Sequence, residues 1–381
     1  MRVCAVPHSK NPFSNLDFLE NHWQQSPLLL RNAIHLPDLI DGDELAGLSL
    51  EPNVESRLIR YDPEQQSWHL DHGPFSEDQF ANLPESNWTL LVQAVDHWVP
   101  EVRQVLERFD FLPRWRIDDI MISFATDQGG VGPHFDQYDV FLIQLSGQRQ
   151  WKTGQLCDDD AELVNGLPVK MLTNFDTQDT WLLEPGDVLY LPPAIAHWGT
   201  SIGNSMTLSV GFRAPSDSEI VSEFGHFLSS EISDFRRYTD SKIENRAGNA
   251  HEIRQSDLER LKQRLHQYLD DDQLLAQWFG QYMTEPKYDD SGVDTGDWSF
   301  EAFKQHWRHY PLYRNSSSRM AYHGKTLFVD GQMLEPCVDK SELDRICSYE
   351  VLEYNGFTDT SGNALQLIWT LLNCGALFFE D

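Results

Sequence analysis

His134 and Asp136 stand two residues apart, so on an extended segment both side chains leave the same face. They lie in GGVGPHFDQYDVFLIQLSGQRQWKTG, residues 129–154. A second imidazole follows in EPGDVLYLPPAIAHWG, residues 184–199, where His197 comes after a Pro-Gly-Asp turn and a strand-like run. Two imidazoles and one carboxylate on a β scaffold make the facial triad of non-haem Fe(II), with positions left open for a cosubstrate and O2. Zinc also takes His and Asp ligands, but structural zinc prefers closed, cysteine-rich sites. The five cysteines (Cys4, Cys157, Cys337, Cys347, Cys374) are scattered and form no CxxC pair, which fits neither a zinc knuckle nor a disulfide framework.

The H-x-D pattern alone is not specific, because His69-Leu70-Asp71 matches it too. That pair sits in WHLDHGPF, read as a polar turn before Pro74 with no apolar strand after it, and is set aside. The pair at 134 and 136 is instead followed by VFLIQL and by a basic residue, Arg149. Ser146-Gly147 reads as a turn that ends one strand, so Arg149 opens the next and runs back beside the metal. A guanidinium there can clamp a distal carboxylate at two points. 2-Oxoglutarate meets both demands: its keto-acid end chelates iron and its far carboxylate pairs with the cation. Lys152 is the reserve clamp, and Ser123, Thr207 and Ser209 are the hydroxyls placed to assist.

The elements that must position these groups are short strand-like runs punctuated by Gly and Pro, at residues 88–95, 119–124, 140–145, 188–191 and 206–212. Their spacing and β-branched content predict an antiparallel β core over residues 1–214 with helical decoration near its start. From Pro215 the period changes. Ile220, Phe224, Phe227, Leu228 and Phe235 recur at helical spacing. Ser256 and Glu259 read as a capping box ahead of Leu258, Leu261, Leu265 and Leu269, and a third helix is expected over 274–283. This helical region, 215–283, packs on its own barrel or on a second copy. A linker rich in acidic residues, Gly and Pro covers 284–297, and residues 298–381 combine helices with a hairpin turning at Asp330-Gly331. Helix, hairpin and helix at this length suggest a winged-helix-like module. Its Lys and Arg residues are outnumbered by carboxylates, against DNA reading.

Across its 381 residues the chain carries 60 acidic and 29 basic residues, a formal charge of −31. Such a body repels a phosphate backbone and attracts basic partners, so no direct nucleic-acid ligand is expected. The first residues, MRVCAVPHSKNP, hold no apolar run of a signal peptide, and the apolar-leaning stretch 367–379 is broken by Thr370, Asn373 and Gly375. A reduced, cytoplasmic protein without a membrane span is the expectation.

The segments PHFDQYDVFLIQLSGQRQWKTG, EPGDVLYLPPAIAHWG and SVGFRAPS resemble the JmjC-type cupin oxygenases. With PRWRIDDIMISF (113–124) and QWFGQYM (277–283), they resemble more narrowly the bacterial ribosomal oxygenases that hydroxylate the β-carbon of an arginine in the sixteenth large-subunit ribosomal protein. The resemblance implies an α+β fold: a double-stranded β-helix, the cupin or JmjC jelly roll, then a helical dimerisation segment and a winged-helix-like C-terminal domain. It places His134, Asp136 and His197 on the iron ligands and Arg149 on the basic position that binds the cosubstrate. It implies Fe(II), 2-oxoglutarate and O2, a homodimer, and a basic ribosomal protein as substrate. A substrate arginine calls for carboxylates and an aromatic wall near the metal. Asp127, Tyr138 and Asp139 are the candidates close to the ligands, and Trp198 directly follows one of them. Two alternatives stay open: the same oxygenase chemistry on histidine or methyl-lysine, and a non-catalytic metal-binding cupin scaffold.

Overall fold

The computed structural model describes residues 4–5, 16–36, 39–167, 170–241, 243, 248–288, 296–336, 338–348, 350–357 and 362–380. The chain divides into two compact units, Met1–Ala214 and Pro215–Asp381.

In the first unit the strands are β1 (Cys4–Ala5), β2 (Leu28–Arg31), β3 (Ser56–Asp62), β4 (Ser67–His72), β5 (Trp88–Val92), β6 (Ile117–Ala125), β7 (Val140–Leu156), β8 (Asp179–Leu183), β9 (Val188–Leu191) and β10 (Ile195–Phe212). Short helices α1 (Leu16–Asn21), α2 (Gly42–Leu48), α3 (Glu77–Ala81) and α4 (Pro100–Gln104) decorate it. The strands form one sheet in the order β1-β2-β9-β7-β10-β6-β5-β3-β4, with β8 beside β7. Strands distant in sequence therefore lie side by side, the crossed connectivity of a jelly roll.

Strand parity explains why β7 and β9 read as continuous apolar runs. Phe141, Ile143, Val188 and Tyr190 point to one buried cluster, shared with Phe18, Phe109 and Phe212. Val140, Leu142, Leu189 and Leu191 point to the opposite side, where Trp151 and Leu183 join them. Both faces are covered, so no polar alternation survives in the sequence. Each such side chain contributes roughly 1.5–3 kcal/mol by leaving water.

Two expectations fail here. No strand ends at Ser146-Gly147: β7 runs through it without reversing, paired with β10 on both sides. Gly147 has φ +64°, and a Cβ there would sit 2.0 Å from the Asn204 carbonyl oxygen. The register between the strands shifts between Ile202 and Met206, opposite this point. The glycine makes an irregularity that bends a long strand, not a hairpin. Likewise, WHLDHGPF is not a turn, because Ser67–His72 is the edge strand β4, paired with β3.

In the second unit, α5 (Asp217–Glu231) opens on a capping box between Ser216 and Glu219. It stops before Phe235, which is 95% exposed and lies outside the helix its spacing suggested. Next, α6 (Gln255–Leu269) starts one residue before Ser256, and the Arg254 backbone N–H donates to Asp257 Oδ2 at 2.9 Å, so the Ser256–Glu259 box does not form. The next helix, α7 (Asp272–Thr284), carries Gly280 against the Phe328 ring, and Gln281 Nε2 donates to the Gly331 carbonyl at 3.0 Å. The remaining elements are α8 (Phe300–Trp307), β11 (Leu312–Arg314), β12 (Met320–His323), β13 (Thr326–Val329), β14 (Gln332–Leu334), α9 (Lys340–Ser348), β15 (Val351–Leu352), α10 (Gly362–Asn373) and β16 (Leu377–Phe379). They build two three-stranded sheets around a core that includes Phe303, Trp307, Leu343, Ile368 and Leu371. The β13–β14 turn has Asp330 and Gly331 both at positive φ, as its Asp-Gly pair predicts. Part of the expected 284–297 linker lies outside the described residues. Among the described residues no helix is long and apolar enough to cross a membrane.

Candidate active site

His134 lies just ahead of β7 and bridges to His197 near the start of β10: each backbone N–H donates to the other's carbonyl, at 3.0 and 2.7 Å. Their rings are 4.2 Å apart between centroids. The Ala194 N–H donates to the Asp136 carbonyl at 2.7 Å, which ties the third residue to the same turn. His197 Nε2 is 3.6 Å from Asp136 Oδ2, and one donor atom from each of the three residues lies within 4.8 Å of the others.

The protonation pattern suits a cation. His134 Nδ1 is 2.9 Å from the Gly132 carbonyl and His197 Nδ1 is 2.9 Å from the Ile195 carbonyl. A carbonyl can only accept, so both Nδ1 atoms carry the hydrogen and both Nε2 lone pairs are left for a ligand. Burial, with the neighbouring His134, pulls the His197 pKa down to about 4 against the pull of Asp136. The ring is therefore the neutral imidazole that coordination needs.

The second half of the site is a buried cation. Arg149 is 5% exposed, and burial lowers its pKa to about 10, so it stays charged at neutral pH. Its Nη1 donates to Ser123 Oγ at 3.1 Å and to Thr207 Oγ1 at 3.3 Å. Its Nε and Nη2 are buried with no hydrogen-bond partner. A buried guanidinium with three of its five N–H donors unmatched is expensive. The free Nε–Nη2 edge fits a planar carboxylate at two points. Three convergent ligands and an orphaned cationic fork are what iron plus a 2-oxo dicarboxylate require.

Sequence reasoning missed two neighbours. Trp151 lies under Arg149 (5.8 Å to the guanidinium carbon) and beside the His197 ring (6.0 Å). Its indole fits because Gly199 faces it, where a Cβ would come within 2.8 Å. Gln144 is buried and accepts from the Thr207 hydroxyl at 3.1 Å. The signal for both was parity: Gln144 follows Val140 and Leu142 on the interior face of β7.

The other candidates separate. Ser123 and Thr207 are cross-strand partners at Arg149, whereas Ser209, two residues along β10, makes no hydrogen bond to it. Lys152 is cross-strand to Trp198 and lies 4.9 Å from its ring centre, on the face opposite His197, so it is not a reserve clamp and Trp198 is not a wall of the metal site. Asp139 requires correction. It is fully buried, accepts from Tyr190 Oη at 2.7 Å and Gln24 Nε2 at 3.0 Å, and pairs with Arg116 at 3.1 Å. It braces the core and is closed to a substrate. Tyr138 is 42% exposed, its hydroxyl pushed well above the usual tyrosine range by desolvation and by Asp136, Asp119 and Asp118. Asp127 is exposed, one oxygen accepting from the Gly203 N–H at 2.8 Å.

The jelly roll, the triad and the buried clamp define a JmjC-type oxygenase, and residues 104–220 match the JmjC domain model, while residues 265–378 match the ROXA-like winged helix. The chain is 34% identical over 378 residues to the ribosomal protein uL16 3-hydroxylase of Escherichia coli, covering 96% of this chain and 97% of that protein. It is 36% identical over 211 residues to a probable ribosomal oxygenase of Haemophilus influenzae, covering 54% of this chain and 50% of that protein. The structure of the E. coli ribosomal oxygenase YcfD in complex with cobalt and 2-oxoglutarate superposes with a TM-score of 0.85 at 33% identity, covering 96% of this chain and 98% of that one. This chain belongs to the bacterial JmjC-type ribosomal oxygenases.

Proposed function

We propose that this protein is an Fe(II)- and 2-oxoglutarate-dependent dioxygenase that hydroxylates the β-carbon of an arginine in the ribosomal protein uL16. The observation that carries the reading is the Nε–Nη2 edge of Arg149, buried without a partner in the same barrel as the His134–Asp136–His197 triad. A non-catalytic scaffold has no use for that unmatched cation. The uL16 target follows the similarity to the E. coli 3-hydroxylase, which spans nearly the whole chain.

Iron, 2-oxoglutarate and O2, when bound, supply the oxidising power: the cosubstrate becomes succinate and CO2 while one oxygen atom enters the substrate C–H bond. The chain's own residues hold and orient. His134 and His197 present their Nε2 atoms, Asp136 adds the carboxylate, and Arg149 fixes the far end of the cosubstrate with Ser123 and Thr207 as its acceptors. Ser209 lines the same strand face without touching the clamp. Beside Asp136, Tyr138 offers a neutral hydroxyl; Asp127, tied to the Gly203 N–H six residues along β10 from His197, keeps one carboxylate oxygen for a guanidinium.

The partner is a basic ribosomal protein approached as protein rather than through rRNA, as the charge of −31 favours. The cytoplasm, where ribosomal proteins are made, is the assigned compartment. Residues 215–283 form the dimerisation segment and 298–381 the winged-helix-like domain. A homodimer is supported by α6, on which Leu258, Leu261, Leu265 and Leu269 form a stripe, each exposed by 43–53%.

The test is an anaerobically loaded Fe(II) assay with uL16 peptides containing arginine, following succinate and peptide mass together. Succinate with a one-oxygen gain on arginine is expected. Succinate without peptide oxidation would discard the substrate, and neither product would discard the enzyme.

A further inference from the structure

The unmatched fork of Arg149 has a cause two side chains away. Gln144 is 1% exposed, and its Nε2 donates to the Ser146 carbonyl at 2.9 Å. A carbonyl cannot donate, so this bond fixes which way the amide faces and leaves Oε1 toward Thr207. The Thr207 hydroxyl has one hydrogen, and it goes to Gln144 Oε1 at 3.1 Å. The Thr207 oxygen can then only accept, and it accepts from Arg149 Nη1 at 3.3 Å. Ser123 behaves alike: its hydrogen goes to the Thr207 carbonyl at 3.4 Å and its oxygen accepts from the same Nη1 at 3.1 Å. Both acceptors draw on Nη1, which leaves Nε and Nη2 buried and unpaired.

From this chain of donors and acceptors we infer that Gln144 is a positioning residue for the cosubstrate clamp: by setting the direction of the Thr207 hydroxyl, it presents the Nε–Nη2 edge of Arg149 to the distal carboxylate. The inference rests on the reading of Arg149 given above. Gln144 acts only through Thr207. Removing its acceptor leaves the Thr207 hydrogen without a fixed partner, so the hydroxyl oxygen is no longer held toward Arg149 Nη1 and the clamp loses its fixed orientation.

The experiment is a double-substitution cycle on the full-length protein, with Gln144→Leu, Thr207→Val and the pair. The readouts are calorimetric binding of N-oxalylglycine to Mn(II)-loaded protein, Mn(II) affinity, and KM against kcat for 2-oxoglutarate. Gln144→Leu should weaken N-oxalylglycine and raise the 2-oxoglutarate KM by about tenfold, the cost of one lost buried hydrogen bond. Mn(II) affinity and kcat at saturating 2-oxoglutarate should stay within about twofold, as for a change away from the metal. The double variant should be no worse than Thr207→Val alone, because the two residues form one path. Additive losses, or a fall in Mn(II) affinity equal to the fall in N-oxalylglycine binding, would overturn the inference. If the leucine variant does not fold, Gln144→Met fills similar volume with a flexible chain, and the same expectations apply. Arg149→Ala run alongside separates the two levels. If it leaves N-oxalylglycine binding intact, the clamp itself is wrong; if it alone weakens binding, only the role of Gln144 is.

Discussion

His134-Phe135-Asp136 and His69-Leu70-Asp71 share the same pattern and differ in everything around it. Opposite His134 across the strands stands His197; opposite His69 stands Arg60. The His134 ring spends its Nδ1 hydrogen on the Gly132 carbonyl and keeps Nε2 free, whereas His69 Nε2 lies 3.1 Å from the Ser67 hydroxyl. Asp136 has the His197 imidazole beside it, while Asp71 is held by the Arg60 guanidinium at 2.7 Å. One pair lies half-buried against the barrel interior, and the other is on an edge strand. A two-residue pattern places two side chains on one face. A metal site needs a third donor, lone pairs left uncommitted by neighbouring carbonyls, and no cation already holding the carboxylate.

The largest break in that comparison is loss of a proposed ligand. His134→Ala should lower Co(II) affinity by more than about 100-fold, beyond what loss of a supporting hydrogen bond costs, and abolish succinate formation. His69→Ala should leave both within about twofold, as for a surface change. Cobalt titration beside a succinate assay reads both, and equal losses in the two variants would remove the distinction.

The next effect separates metal from clamp. Arg149→Ala deletes the buried fork, and two charge-assisted hydrogen bonds at roughly 1.5–3 kcal/mol each set the scale. 2-Oxoglutarate binding should fall by on the order of 100-fold or more, since 1.4 kcal/mol is about tenfold, with Co(II) affinity retained. A parallel fall in metal affinity would show that Arg149 holds the triad together rather than the cosubstrate.

What was legible in the sequence was local. The triad and Arg149 stood out because spacing, an apolar run and a Pro-Gly-Asp turn are properties of contiguous residues. Failures came where the answer depended on register between distant strands. The pairing of Thr207 with Gln144, and of Gly199 with Trp151, is set by how β10 lies on β7. The same long pairing carries β7 through Gly147, where a Ser-Gly pair alone reads as a turn. Asp139 looked like a substrate contact because it is three residues from Asp136, yet parity and the Arg116 guanidinium take it into the core. At α6, Ser256 and Glu259 match a cap pattern, but Asp257 reaches the Arg254 N–H and the helix starts earlier.

The smallest effects test whether the decoy can be moved toward the real site. Arg60→His removes the cation that holds Asp71 and places an imidazole opposite His69, reproducing the His134–His197 relation on β3 and β4. A weak Co(II) site should appear, about 100-fold or more below the native one, because Ser67 competes for His69 Nε2 and the His69–Asp71 pair lies on an edge strand. Reading it against a His134→Ala background isolates the new signal, and Ser67→Ala should strengthen it by freeing that lone pair. The stability cost should stay within about 1 kcal/mol, since the Arg60–Asp71 pair is 37% and 42% exposed and such pairs contribute little. Cobalt binding as tight as the native site would mean that two strands and three side chains suffice, and that the carbonyls at Gly132 and Ile195 do not set the affinity.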